Sequence, residues 1–431
     1  MPEVPGSELR ELAQMPEMED FMTRTYSPAK LRLAIWFSAL ALALAFGAPE
    51  MSATTVTYIV GTCVSGTHFS TIQAALDASP APNTVEVCPG QYGEQITITK
   101  PVTLEGIAAG DGSLAEIGIP ANYTANARVE GGSASAIAQI YVDHVSGGSV
   151  NLSNLAVTGD GFGALDGQGA DFFIGVVYEE SSGTVNQVMT WAQDNNSGNH
   201  DVNGWGIWIE GGSSTPSVTV ENSSVHNFSS GGIFAIGETT APDLTVAIKN
   251  NFVSSVYEGD NNIVVYQGTN PTVSGNTVIG GVYGIFITSP TGSITGNTFL
   301  GSQTGIALTA DGPSVTSNNV YGATEYGIAV SATLKKSIVE KNIIRNVQSA
   351  SSSDSDGTGI ELGCNNISSS QVNSNTIIDA FAGYGDAPAG FGGSNTYVGL
   401  FSDVATCASD SVSRKASPAP HLKLLGQSPQ Q

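Results

Sequence analysis

Charge is scarce in this chain of 431 residues: 12% are Asp, Glu, Lys or Arg, and 14 basic residues face 38 acidic ones. The net charge of −24 argues against nucleic acid as a partner, because a phosphate backbone needs a cationic surface. It disfavours polyanionic ligands for the same reason. Aromatic residues are few, at 7%. The Leu, Glu, Lys and Arg that dominate helix-rich proteins are thinly spread. In their place stand 52 Gly, with Ser, Thr, Asn and Val throughout. That composition suits short strands and many turns.

Long apolar runs are also missing, with one exception. Lys30 and Arg32 precede the run Leu33 to Phe46. It is shorter than the roughly 20 residues that span a bilayer, and fits the core of an export signal. Small residues at Gly47, Ala48, Ser52 and Ala53 place cleavage between Ala45 and Ala53. Residues 1–53 therefore read as lead-in and signal peptide, with Met22 as an alternative start and an uncleaved anchor as the competing reading. The expected location is secreted, periplasmic or cell-surface, with no membrane span after cleavage. Residues 409–431 are rich in Ser, Pro and Gln and read as a flexible tail.

Only four cysteines occur, Cys63, Cys88, Cys364 and Cys407. Three pairings are open. Their grouping at the two ends favours Cys63–Cys88 and Cys364–Cys407, with free thiols as the alternative. Neither pair has metal-site spacing.

What the chain has in quantity is repetition. An aliphatic residue, two others, Asn, one more and an apolar residue recur around Asn251, Asn276, Asn297, Asn318, Asn342 and Asn375. Looser relatives surround Asn154, Asn186 and Asn222. A second pattern interleaves with it: Gly206-Ile-Trp-Ile, Gly232-Ile-Phe-Ala, Asn262-Ile-Val-Val, Gly284-Ile-Phe-Ile, Gly305-Ile-Ala-Leu, Gly327-Ile-Ala-Val and Gly359-Ile-Glu-Leu. Two registers alternating at one period mean one unit copied many times. The unit has no helix-length amphipathic stretch, only short β-rich runs between turn residues. One coil of a parallel β-solenoid fits it. Each run pairs with its copy about 4.8 Å away, apolar residues stack inward, and Asn amides bond along a corner.

We therefore expect an all-β fold over residues 54–408, a single-stranded right-handed parallel β-helix. Ser70-Thr-Ile-Gln73 has capping-box form, which predicts a short N-terminal helix that caps the open first coil. Thr71-Ile-Gln-Ala-Ala-Leu76, Pro89-Gly-Gln-Tyr-Gly-Glu94 and Lys100-Pro-Val-Thr-Leu-Glu-Gly106 resemble the opening of pectin-lyase-like β-helix proteins. That group includes pectinesterases and bacterial repeat proteins of carbohydrate-binding and sugar-hydrolase type. The resemblance covers residues 56–400 and implies a fold and a polysaccharide or surface glycan as partner. It does not imply one reaction, because the fold hosts many.

Three motifs bear on that reaction. Asp171-Phe-Phe-Ile-Gly175 is similar to a pectinesterase stretch, but the Gln-Asp pair and Arg-Pro-Trp segment of those enzymes are absent. Tyr141-Val-Asp143-His144 resembles a pectate-lyase stretch, without the basic partner that elimination needs; it reads as a plain strand. Polygalacturonase motifs do not occur.

The alternation of a strand supplies the rest. The middle residue of each Gly-Ile pattern points outward, which places Trp208, Phe234, Val264, Phe286, Ala307, Ala329 and Glu361 in one row. Glu210, Tyr266 and Thr288 lie two positions along. Exposed, Trp205, Trp208, Phe234, Tyr266 and Phe286 would stack sugars while Glu210 bonds hydroxyls; alternatively, loops cover them. The longest loops precede these strands. They carry His200, Asp201, Glu258 and Asp260 as acid/base candidates for glycoside hydrolysis. No cofactor is implied. Asp354-Ser-Asp356-Gly357 has a calcium-loop flavour, and Lys335, Lys336, Lys341 and Arg345 form the basic cluster. Three functions stay open: a monomeric secreted carbohydrate-active protein that binds a polysaccharide and, as an enzyme, is a glycoside hydrolase; a non-catalytic extracellular binding or adhesion β-helix; and a purely structural spacer with its aromatics buried under loops.

Overall fold

The computed structural model describes residues 55–160, 170–193, 203–238, 243–255, 260–331, 334–348, 357–363, 371–387, 394–400 and 402–406. Among them, strands form three sheets of 13, 12 and 13 strands, parallel throughout except for Ala127–Val129 in the third. Each sheet takes one strand from each successive coil, so the chain visits the three in turn. The sequence repeat is this coil.

The inward ladder explains why the repeat folds so. Ile140, Val176, Ile207, Ile233, Ile263, Ile285, Ile306, Ile328 and Ile360 stand in register, coil upon coil, in the third sheet. All are fully buried in one continuous core. Each contributes roughly 1.5–3 kcal/mol of burial, and β-branched residues suit the pleated stack.

The Gly before each Ile has a steric cause. A Cβ on Gly206 would sit 2.8 Å from the carbonyl oxygen of Gly232, and one on Gly232 would sit 2.6 Å from that of Asn262. The coils are too close there for a side chain pointing along the stack.

The asparagine ladder closes one corner. The side-chain oxygens of Asn276, Asn297, Asn318, Asn342 and Asn375 each accept the backbone N–H and an amide N–H of the ladder Asn one coil earlier, at 2.9–3.0 Å. The second amide hydrogen donates to a strand carbonyl, as Asn297 does to Val273 at 3.0 Å. Every polar atom of these buried side chains is therefore used. Asn395 extends the ladder beyond the expected set.

Toward the N-terminus the ladder stops. Phe252 pairs with Ser224, and Ser224 with Met189. The position of Asn251 is thus occupied by Ser223 and then by Val188. Asn222 and Asn154 instead hold left-handed turns, at φ 51° and 56°, and Asn186 ends a strand. These three stand outside that ladder, which corrects the expectation from spacing, although the Asn222 amide does donate to Asn186 Oδ1 across coils at 3.0 Å.

At the N-terminal end, the helix Ile72–Leu76 buries Ile72, Ala75 and Leu76 in the same core. Thr71 is its N-cap, accepting from Ala74 N–H at 3.3 Å. Gln73 does not complete a capping box. It bonds the backbone of Thr97 in both directions, while the Glu94 carboxylate accepts Ile72 and Gln73 N–H at 2.9 and 3.1 Å. Cys63 and Cys88 form a disulfide beside it. Cys364 and Cys407 lie outside the described residues. No helix among the described residues is long and apolar enough to cross a membrane.

Candidate functional site

The outward row of the third sheet stands in the expected register: Trp208, Phe234, Val264, Phe286, Ala307, Ala329 and Glu361 are successive partners. Its rings touch. Trp208 stacks on Phe234 at 4.0 Å between centroids, Phe234 meets Tyr266 at 5.5 Å, and Tyr266 meets Phe286 at 6.1 Å. Trp205 packs edge-on against Trp208 and Phe234.

The row is not open to solvent. Trp208 and Phe234 are 1% exposed, and Trp205 and Phe286 4%. Tyr266 is only partly buried. A second apolar cluster forms here, outside the coil, from the aromatic row and Ala127, Val129, Ala134 and Ala136. Those four belong to a hairpin in which Ala127–Val129 runs antiparallel to the start of the strand Ala134–Asp143. The cover comes from a segment that the sequence reading did not single out. Its small side chains carry little periodic signal.

Two carboxylates hold the hairpin. Asp171 accepts Ser135 N–H at 2.9 Å and its hydroxyl at 3.1 Å. Glu210 accepts Glu130 N–H at 2.8 Å, Gly131 N–H, and Trp208 Nε1–H at 3.0 Å. Asp171, the residue of the pectinesterase-like stretch, thus anchors the hairpin.

The densest titratable cluster lies at the C-terminal edge of the same sheet. Asp143, Glu179 and Glu210 end three consecutive strands and are register partners. The Tyr141 hydroxyl is hydrogen-bonded to Asp143 at 3.1 Å and to Glu179. His144 Nδ1 lies 2.6 Å from Asp143 Oδ1, and its Nε2 lies 3.4 Å from Glu180 and 3.9 Å from Glu179. Asp143, His144 and Glu179 each bring one ligand-type atom within 4.8 Å of the others. Among the described residues, these three could hold a divalent cation.

Burial pushes the Glu179 carboxyl above its ordinary range; neighbouring Glu210 and Asp143 add to this, against the Tyr141 hydroxyl and His144. Burial also raises Glu210, opposed by its three donors. The hydrogen bond to Asp143 raises His144, which favours imidazolium. Glu180 goes the other way: burial is outweighed by Ser213, Ser214 and His144, and its carboxyl is lowered. The edge therefore offers one carboxyl that keeps its proton more tightly, Glu179, beside Asp143, whose side chain is 34% exposed.

Of the acid/base candidates from the sequence, Asp260 does not join this cluster. Asp260 is 3% exposed and accepts the Ser255 hydroxyl at 2.8 Å. It precedes the strand Asn261–Val265, whereas Asp143, Glu179 and Glu210 end theirs. His200, Asp201 and Glu258 lie outside the described residues, as do Asp354 and Asp356. In the basic cluster, Lys335 and Lys336 give their backbone N–H groups to Asp311, and Lys341 pairs with Glu340 at 3.1 Å.

Asp143 and Glu179 were within reach of the sequence. Tyr141-Val-Asp143, Val177-Tyr-Glu179 and Trp208-Ile-Glu210 share one pattern, outward apolar, inward, outward acid. The Gly-Ile signature that would align them is replaced at Gln139 and reads Gly-Val-Val at Gly175.

Residues 242–399 match the family described as right handed beta helix region. No curated protein matches the sequence. Among solved structures, a GH136 lacto-N-biosidase from Eubacterium ramulus is similar with a TM-score of 0.52 and 11% identity, over 88% of this chain and 72% of that one. A DFA-IIIase from Arthrobacter chlorophenolicus A6 gives 0.46 and 12%, over 75% and 80%. The A-module of a mannuronan C-5 epimerase from Azotobacter vinelandii gives 0.35 and 15%, over 78% and 93%. At such identities the likeness is one of fold. With its three parallel sheets and its coil repeat, the chain is a right-handed parallel β-helix protein.

Proposed function

We propose that this is an exported, carbohydrate-active β-helix protein that hydrolyses a neutral polysaccharide at the acidic edge of the third sheet. The observation that carries the reading is the pairing of Asp143 and Glu179, with oxygens within 4.8 Å and the Tyr141 hydroxyl hydrogen-bonded to both. Glycoside hydrolysis needs two carboxyls in unlike protonation states, and a separation of about 5–5.5 Å suits the retaining course. Glu179, whose carboxyl burial pushes above its ordinary range, would give its proton to the leaving glycosidic oxygen. Asp143 would attack the anomeric carbon as the C–O bond breaks. Water, deprotonated by Glu179, would then displace Asp143. The net acidic surface favours an uncharged chain as substrate.

The test is release of reducing ends from a panel of neutral polysaccharides. Asp143→Asn and Glu179→Gln should each lower the rate by roughly 10²–10⁴-fold, and the first-formed product should keep its anomeric configuration. Asp201→Asn, Glu258→Gln and a His200 variant run beside them, because those loop residues remain proposals for the same reaction. Loss of release in the loop variants alone would move the centre there. Glycan binding without release would sink the hydrolase and favour the non-catalytic binding protein.

A further inference from the structure

The aromatic row has two properties that a permanent core would lack. Trp205 is 4% exposed, and its Nε1–H has no acceptor; the Thr288 hydroxyl, on the same face, is also buried without a partner. Leaving such groups unpaired is costly, and a saccharide hydroxyl answers both. Among the described residues the cover is also slight. It is a three-residue strand, Ala127–Val129, with a tip of consecutive left-handed residues, Glu130, Gly131 and Gly132 (φ 57°, 66° and 79°). That conformation disfavours Glu130 in particular.

The tip is also surrounded by charge of its own sign. Burial and the neighbouring Glu210 and Asp171 raise the Glu130 carboxyl, and Glu238 acts on Glu210 in the same sense. Tyr266, the partly exposed ring of the row, feels Glu130 as well. Two backbone N–H groups on one carboxylate hold this tip down.

We propose that the hairpin 127–136 is a displaceable strap latched on Glu210, and that the aromatic face beneath it, Trp205, Trp208, Phe234 and Tyr266, is a stacking site for a neutral oligosaccharide. This rests on the carbohydrate reading above and assigns it a second place on the sheet. Ring faces stack on the apolar faces of sugars. Trp205 Nε1 and Thr288 Oγ1 supply a donor and a donor-acceptor for hydroxyls. The flanking carboxylates accept from hydroxyls and repel anionic sugars.

The experiment is hydrogen–deuterium exchange on the full chain, followed by titration with cellohexaose, xylohexaose and chitohexaose. In the wild-type protein, amides of residues 127–136 should exchange at least tenfold faster than those of the underlying strand Gly231–Ile236. Exchange of the two at one common rate would overturn the strap, because the hairpin would then open only with the coil. Glu210→Ala and Glu210→Gln should speed exchange in the hairpin alone and raise affinity for one of the three probes at least tenfold. A freed hairpin with no gain for any probe would overturn the saccharide face. Should Glu210→Ala fail to fold, the wild-type comparison and Glu210→Gln still decide. Catalysis at Asp143 and Glu179 is read separately by product release, so failure of that chemistry leaves these outcomes distinct.

Discussion

The Glu210 carboxylate accepts the backbone N–H of Glu130 at 2.8 Å, across 80 residues of sequence. It also takes Gly131 N–H and the Trp208 indole N–H. Removing it strands three donors beneath the hairpin. Glu210→Ala should destabilise the protein by on the order of 3 kcal/mol, the cost of buried donors left without a charged acceptor. Glu210→Gln, which keeps one acceptor oxygen, should cost less. Chemical denaturation of the two variants beside the wild type checks the order.

Glu130 should behave in the opposite way. Its carboxyl is raised by burial and by Glu210 and Asp171, so its ionisation opposes folding at neutral pH. Glu130→Gln should raise the melting temperature at pH 7 and change it little at pH 4. A lower melting temperature at pH 7 would mean that the carboxylate has a partner worth more than the repulsion.

The same sign governs Glu179, Glu210 and His144 above the ordinary carboxylate range, and they outnumber His226, which burial lowers from 6.5 and which acts in the opposite sense. Glu130, Glu179 and Glu210 have raised folded-state values. Their contribution is fully present below the ordinary 4.5 and is lost as pH rises through the folded values. His144, raised from 6.5, likewise contributes most below that pH and loses its contribution as pH rises through its folded value. Glu180 and Asp311 are lowered, so their contribution survives above the ordinary range and fails only toward strong acid. Stability should therefore fall between about pH 5 and pH 8. Scanning calorimetry across that window tests it, and a rising melting temperature would contradict the assignment.

Asparagines in the ladder and outside it should respond differently. Asn297→Ala removes the acceptor of Asn276 N–H and Nδ2–H and the donor to Val273, a loss of about 3 kcal/mol or more. Asn297→Asp should be at least as damaging, since it turns a donor into an acceptor against Val273 and Asn318. Asn222→Ala loses a left-handed turn residue, worth about 1–2 kcal/mol. Urea midpoints of the three variants would show the ranking.

Gly232→Ala places a Cβ 2.6 Å from both the Asn262 carbonyl oxygen and Val253 Cγ1. The neighbouring coil would have to move, at a cost of about 1–3 kcal/mol. Gly110, where a Cβ meets nothing within 4 Å, is the control. Equal midpoints for Gly232→Ala and Gly110→Ala would remove the steric account.

The sequence by itself determined the coil. Copies of Asn-x-Val and Gly-Ile at one period leave a single way to pair short strands, and each copy reinforces the last. The outward direction of Trp208 and Phe234 and the Cys63–Cys88 bridge were legible too, because alternation and local grouping are short-range rules. Only the tertiary structure decided what covers that outward row. The hairpin 127–136 has no repeat of its own, and its tip meets Glu210 only after two further coils have been wound. The alignment of Asp143 and Glu179 could be read from their shared pattern, but the approach of His144 to Glu179 and Glu180 depended on stacking coils of unequal length. The Asn ladder had a limit that spacing did not show, since Asn154 and Asn222 serve a left-handed backbone one position before the ladder site. Periodicity carries the scaffold, whereas the places where chemistry collects depend on the departures from it.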